Sequence, residues 1–302
     1  MTGYGLSHRL ILLLSTLLSL LAPPPTQAAD EVVRIGFNVK ITRDLNRADV
    51  QSALSLWADE LSNKFNVPTE SLFYDDMANL RHDFDLGKVN FVIAAGMDFA
   101  RYFKQNELAE GFRGTLQQDH TLLLLTHHGA GIDDLKKLQG KRIALLKGDE
   151  LSEVYLETLC LRHFQRPCAK VFGGIETVAN SNQLILRLVF GKADLVLSKR
   201  NGFETAREMN PQVGRVATEL SRFPIKSSYY GLFNSKVNPA TRKHSLQRIT
   251  NMHKDVRGRQ VLEIFKVDRL ELVDTEELRP FYELLSDYEA LLPAPTSKRS
   301  AR

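Results

Sequence analysis

The sequence predicts an α/β protein of two lobes, each a mainly parallel sheet flanked by helices, with a ligand cleft between them. Two observations carry that prediction. Short β-branched or leucine-rich runs alternate with segments of helical period along most of the chain, the pattern of strands joined by crossover helices. The series also runs twice, restarting after the apolar run Thr121–Thr126, and 302 residues are enough chain for two cores.

The N-terminus comes first and belongs to neither lobe. Arg9 precedes the apolar run Leu10–Leu21, which has the order of a secretory leader. At about 12 residues the run is too short for a bilayer core, and Pro23, Pro24 and Pro25 prevent its continuation as a helix. Thr26 and Ala28 place cleavage after Ala28, with Ala29 the second choice. No cysteine lies nearby to take a lipid, and no later run is long and apolar enough to cross a membrane, so the expected product is free in the periplasm.

Val32–Phe37 reads as the first strand. Val50, Ala53, Leu54, Trp57, Leu61 and Phe65 then fall on one face of a helix over 47–65, with Asp49, Asp59, Glu60 and Lys64 left for water. A strand at Ser71–Tyr74, a helix at 77–86, a strand at Phe91–Ala95 and a helix around 98–104 continue the alternation. Thr121–Thr126 is a buried strand and Ile132–Gln139 a short helix stopped by Gly140. The second series follows: strand Arg142–Leu146, a helix carrying Leu151, Val154, Tyr155, Thr158 and Leu159 inward, strand Ala169–Phe172, helix Ser181–Phe190, strand Asp194–Ser198, helix Gly202–Met209 and strand Val213–Ala217.

Tyr229–Phe233 is expected to pair with Thr121–Thr126, so that the middle of the chain hangs from the first lobe by two crossings. The last third reads as helical: Asn238 caps a helix that Pro239 opens, with Leu246, Ile249, His253 and Val256 on a face, and Asp274 with Glu277 forms a capping box for another. These helices are expected to pack on the first lobe. The predicted divisions are a leader at 1–28, one lobe from 30–120 plus 222–292, a second lobe at 121–221, and a disordered tail at 293–302.

Composition excludes several functions. The net charge of +4 is small and partly sits in Lys298, Arg299 and Arg302, which gives no argument for nucleic acid. The two cysteines, Cys160 and Cys168, lie in the exported part and are expected to form a disulfide. No metal site is read: there is no CxxC, and the neighbours His127 and His128 diverge on a strand. GxSxG, GxxxxGK[ST] and GxGxxG are all missing, so neither a catalytic residue nor a cofactor is assigned.

Four phrases narrow the reading: RIGF near the start, DLGKVNFVIAAG at 85–96, DLKKLQGKRIALL at 134–146 and LRLVFGKADLVLS at 186–198. In wording, order and spacing they resemble the substrate-binding (PhnD-like) proteins of phosphate and phosphonate ABC transporters. The resemblance implies a type 2 periplasmic binding fold, a monomer that closes on a small molecule such as a phosphate- or phosphonate-like oxyanion, and an ABC-importer permease as partner. A membrane sensor reading the closed form is the alternative partner, and an envelope enzyme on the same scaffold the third reading.

In such a fold the ligand lies at the carboxyl ends of strands and at helix N-termini, whose free N–H groups favour an anion. The candidate binding residues are therefore Thr42, Arg43, Asp76, Gly96, Met97 and Phe99 from the first lobe, Asp149, Ser152, Ser181, Asn182 and Ser198 from the second, and Tyr229 at a crossing. The chain departs from the family pattern at Asp149 and Glu150, where a Ser/Thr-rich turn is usual, at Ser181 and Asn182, and at Phe99, which stands for a tyrosine. Asp149 and Glu150 suit either a cationic or hydroxyl-bearing ligand or simple complementation of the helix dipole.

Overall fold

A computed structural model describes residues 31–42, 46–115, 119–265 and 267–293. The predicted leader with its cleavage site, the candidate Arg43 and the predicted tail after Pro293 lie outside the described residues.

The first series begins with β1 (Val33–Asn38), whose inward positions Val33, Ile35 and Phe37 are buried. It leads through a 3-10 turn at Val39–Thr42 to α1 (Arg47–Phe65). Asn46 caps α1 by accepting from Ala48 N at 2.8 Å, and Asn66 ends it in the left-handed region. Val50, Leu54, Trp57 and Leu61 are buried along its inner face, as the 3.6-residue period requires. β2 (Thr69–Tyr74), α2 (Met77–Asp85), β3 (Phe91–Ala95), α3 (Gly96–Tyr102) and β4 (Leu108–Thr115) follow. With β10 (Tyr229–Asn234) and β11 (Arg269–Val273) these strands form a six-stranded sheet in the order β11-β4-β10-β3-β1-β2.

The second sheet holds β5 (Leu122–His127), β6 (Arg142–Leu146), β7 (Gly174–Val178), β8 (Leu195–Lys199) and β9 (Ala217–Phe223) in the order β7-β6-β8-β5-β9. Its helices are α4 (Glu150–Phe164), α5 (Cys168–Val171), α6 (Ser181–Val189), α7 (Arg200–Met209) and α8 (Gln212–Val216). The C-terminal helices are α9 (Pro239–Thr250), α10 (Val256–Ile264) and α11 (Arg279–Leu291).

Both sheets are mixed rather than mainly parallel, because each adds antiparallel strands to a parallel trio. β1 pairs in parallel with β2 and β3, and β6 with β7 and β8. β10 pairs antiparallel with β3 and β4, and β5 with β8 and β9. The expected pairing of Tyr229–Phe233 with Thr121–Thr126 is therefore corrected: the two strands belong to different sheets. A close approach of backbones fixes the real partner, since a Cβ at Gly111 of β4 would collide with the Gly231 carbonyl of β10. The crossings run from Thr115 to Leu122 and from Phe223 to Tyr229.

Other expectations move as well. The strand read at Ala169–Phe172 is the short helix α5, opened by Pro167, and the strand lies at Gly174–Val178. Cys160 and Cys168 form a disulfide with Cα atoms 5.3 Å apart, which ties α5 to α4. The strand read at Val213–Ala217 is α8 up to Val216, and β9 starts where it ends. Ile132–Gln139 reduces to a 3-10 turn at Leu135–Leu138 behind the cap Asp134. Val256 does not share a face with Leu246 and Ile249: α9 stops at Thr250, and Val256 opens α10 exposed to solvent.

The C-terminal helices do not all pack on the first sheet. α9 and α10 lie against α1 and the first sheet, whereas α11 wedges between α3 of the first series and α4 of the second. Phe281, Leu284 and Leu285 of α11 enter one apolar cluster that also contains Val92 and Phe99 of the first series and Leu122, Leu145 and Leu195 of the second. The described residues from Val32 onward accordingly form one compact unit.

Candidate ligand-binding site

The parallel strands of the two sheets end near one another. β1, β2 and β3 stop at Asn38, Tyr74 and Ala95, and β6, β7 and β8 at Leu146, Val178 and Lys199. Arg101 of α3 crosses from the first series to Glu150 at the start of α4, at 2.7 Å. Close by, the Lys199 ammonium lies 3.6 Å from an Asp149 oxygen and 5.8 Å from the centre of the Tyr229 ring, so a residue of the second sheet meets a residue of β10 in the first. Opposite charges on exposed residues hold weakly, but Lys199 and Asp149 are mostly shielded from solvent, with side-chain exposures of 18% and 14%.

The second-sheet candidates come together around these groups. Ser152 is fully buried and donates its hydroxyl to the other Asp149 oxygen at 2.6 Å. Ser181 begins α6, and a Cβ placed on Gly202 of α7 would lie 3.2 Å from the Ser181 hydroxyl and 3.7 Å from that of Ser198. Ser198 is buried and donates to the Lys199 carbonyl at 3.2 Å. Asn182 is exposed in the first turn of α6. The cap of that helix is neither Ser181 nor Asn182 but Asn180, which accepts from Gln183 N at 3.0 Å.

The first-series candidates scatter. Met97 and Phe99 are buried in the apolar cluster, and the Phe99 carbonyl accepts from Tyr282 of α11 at 3.4 Å. Gly96 packs under α11, where any Cβ would overlap the Phe281 ring, and its N–H is taken by the Ser228 carbonyl at 3.0 Å. These three positions pack into the joint between α3 and α11. Asp76 caps α2, accepting from Ala78 N at 2.9 Å. The backbone of Thr42 closes the 3-10 turn after β1.

Asp98, which the sequence reading passed over, accepts from the Asn38 amide at 2.8 Å and from Ala95 N at 3.3 Å. Burial pushes its carboxyl above the ordinary carboxylate range, and the charge of Glu150 adds to that, while the Ala95 N–H and the Asn38 amide oppose it. His120 was also missed. Its Nδ1 accepts from Ser228 N at 3.1 Å and lies 2.9 Å from Ser228 Oγ, joining one crossing segment to the other. Its ring stands edge-on to Tyr229, with centroids 6.4 Å apart. Burial first, and the Lys199 charge second, push the His120 imidazole down to about 4, against the opposing charges of Asp119 and Asp149.

The residues that close these contacts give weak signals in the sequence. Asp98 sits three residues beyond the end of a strand, where a helix N3 acid reaches back to the cap N–H, and that spacing could have identified it. His120 is a lone histidine before an apolar strand, with nothing local to mark it.

A family model described as "ABC transporter, phosphonate, periplasmic substrate-binding protein" matches residues 40–278. The chain belongs to this family. It is a periplasmic solute-binding protein that takes a small ligand for import and works with the permease of an ABC transporter, a binding role rather than a catalytic one. Solved structures agree on the fold. A Xanthomonas citri protein bound to ATP superposes with a TM-score of 0.62 at 14% identity, covering 86% of this chain and 98% of that one. PhnD1 of Prochlorococcus marinus in complex with methylphosphonate gives 0.59 at 14% identity, over 86% and 99%. A binding-protein component of a phosphonate ABC transporter from Pseudomonas aeruginosa gives 0.55 at 12%, over 87% and 88%. No curated protein matches the chain in sequence.

The helix starts near the site are partly satisfied by the chain's own groups. At α3, the Ala95 N–H goes to Asp98 and the Gly96 N–H to Ser228. At α6, Asn180 takes a free N–H, and at α4 the first turn carries Asp149 and Glu150. Each of those two acids faces a cation, Lys199 or Arg101. The negative charge that Asp149 and Glu150 would present to an anion is thereby reduced. Among the described residues, no helix is long and apolar enough to cross a membrane.

Proposed function

We propose that this periplasmic binding protein captures a small phosphonate-like oxyanion that also carries an amino or other hydrogen-bond-donating group, and that the two sheets close on it. The observation that supports this reading is the Asp149–Lys199 pair beside Tyr229, 3.6 Å apart at the junction of the sheets. A ligand with both kinds of group satisfies both partners at once: its oxyanion takes the Lys199 ammonium, and its donor takes the Asp149 carboxylate. Ser181 and Asn182 lie at the mouth of α6, where short polar side chains add neutral hydrogen bonds. A plain anion engages Lys199 but leaves Asp149 facing like charge. Binding energy then favours the closed arrangement, because only there do Lys199 and Tyr229 act together.

Calorimetry on the purified chain with phosphate, methylphosphonate and 2-aminoethylphosphonate tests the reading. The aminophosphonate is expected to bind most tightly. Lys199→Met is expected to weaken it at least about tenfold, because a charge-assisted hydrogen bond contributes roughly 1.5–3 kcal/mol. Asp149→Asn is expected to narrow the gap between the amino and methyl compounds. Equal affinity for all three, or affinity unchanged by Lys199→Met, refutes it.

A further inference from the structure

The positive charge of the chain is concentrated on one pair of helices. Residues 236–259 contain seven Lys and Arg against one acid, Asp255, an excess of six where the net charge of the whole chain is +4. The remainder is therefore net negative. Packing turns the basic residues outward: Ser245, Leu246 and Ile249 of α9 and Gly258, Val261 and Leu262 of α10 are buried, which leaves Lys243, Arg248, Arg257 and Arg259 exposed. Lys236 before α9 and Lys254 in the 3-10 turn that joins the helices are exposed as well. Arg257 meets Glu60 of α1 at 3.4 Å, but the other five form no ion pair among the described residues. Within the two helices the only acid is Glu263. Val256, 61% exposed, stands among these cations at the start of α10.

We infer that this basic face docks on an anionic lipid bilayer. Charge complementarity selects the occupant. Long cationic side chains spread over two helices match the diffuse negative charge of a headgroup plane, for which a cluster of about four to eight Lys and Arg suffices. The exposed Val256 adds an apolar contact at the headgroup boundary. The apolar cluster under α9 and α10 draws on the first sheet and α1 and includes no residue of the second series, so docking leaves the second sheet free and the Asp149–Lys199 pair uninvolved. The partner permease lies in a bilayer, and holding the binding protein on that surface raises its effective concentration there.

A chain starting at Ala29 keeps the compact unit from Val32 onward and lacks the predicted leader, so its membrane binding reports on this face. Co-sedimentation is measured with vesicles of phosphatidylcholine alone and of phosphatidylcholine with about 30% phosphatidylglycerol. Binding is expected only to the anionic vesicles, and is expected to fall at least about fivefold as NaCl rises from about 50 to about 300 mM. Lys243→Glu with Arg248→Glu is expected to weaken it at least about tenfold, and Lys254→Glu with Arg259→Glu repeats the test on the turn and α10. Arg166→Glu with Lys170→Glu makes the same change of net charge at exposed positions of the second series, and is expected to weaken binding less than about threefold. Absent binding, equal binding to both vesicles, or an equal loss from the second-series pair overturns the inference. Binding that appears only when the permease is present in the vesicles assigns the face to an acidic protein surface and overturns it too.

Discussion

The hydrogen bond from Ser228 N to His120 Nδ1 makes a pH experiment informative. A backbone N–H donates to that nitrogen at 3.1 Å, so Nδ1 must carry a lone pair and the imidazole must be neutral in the folded protein. Protonating Nδ1 would set two N–H groups against each other in a residue only 9% exposed. The folded-state value of about 4 against an ordinary 6.5 agrees with the geometry. The unfolded chain therefore binds the proton more readily, and the contribution of His120 to stability is fully present above about pH 6.5 and lost as the pH falls toward 4. Linkage between those two values gives a loss of about 2 kcal/mol from pH 7 to pH 4.5. The assay is urea unfolding followed by circular dichroism at both pH values, for the wild type and for His120→Asn. Asparagine keeps an acceptor for Ser228 N but does not titrate, so its pH difference should be smaller than that of the wild type by about 2 kcal/mol, whatever the carboxylates contribute to both. If both proteins lose the same stability, the neutral, buried state assigned to His120 is refuted.

Three further outcomes follow from packing. Phe281→Ala should cost about 3–5 kcal/mol by chemical denaturation, since the ring is 1% exposed and meets Tyr230 at 5.9 Å and Phe223 at 6.4 Å; a loss below about 1.5 kcal/mol would show that α11 does not join the two sheets as described. Removing the Cys160–Cys168 bond with Cys160→Ser and Cys168→Ser together should lower stability by about 2–3 kcal/mol, read as a lower Tm that reducing agent does not lower further. Gly111→Ala should destabilise more than Gly114→Ala, because the first drives a Cβ into the Gly231 carbonyl while the second meets the Val267 side chain, which can shift; thermal melts of the two variants check the order.

The alternating elements of the first series were legible because periodicity and burial coincide there. Val50, Leu54, Trp57 and Leu61 mark α1 by spacing alone, and Phe91–Ala95 is apolar because the strand is covered on both faces. β4 left no such mark. Its sequence LAEGFRGT contains two glycines and two charges, and its place in the sheet rests on the backbone contact of Gly111 with Gly231, far away in sequence. With β4 unseen, the sequence did not show that the strand Tyr229–Asn234 lies between β3 and β4, and the expectation paired it with β5 instead. At the site, the turn after β6 and the residues ending β8 could be located from the fold. What the chain could not disclose was direction: Met97, Phe99 and Gly96 follow a strand end just as a ligand-binding turn would, but α11 arrives from the far C-terminus and claims that face.

The contacts between the two sheets fall into two kinds, and the difference bears on how closure could work. Arg101–Glu150 is an ion pair of 2.7 Å whose side chains stay 37–38% exposed. Such pairs contribute about 0–1 kcal/mol each and weaken with salt, so they can be broken and remade at little cost. The apolar cluster through which α11 joins the two series, with Phe281 in it, is buried and expensive to separate. A hinge that used the second contact as its pivot and the first as its rim would open without exposing the core. The rim pair alone is too weak to hold such a hinge closed, and the difference must come from a ligand that touches both sides. Raising the salt should therefore shift the apo protein toward the open form in small-angle scattering, and ligand should abolish that dependence; an apo form whose radius of gyration ignores salt would place the closing energy in the core instead.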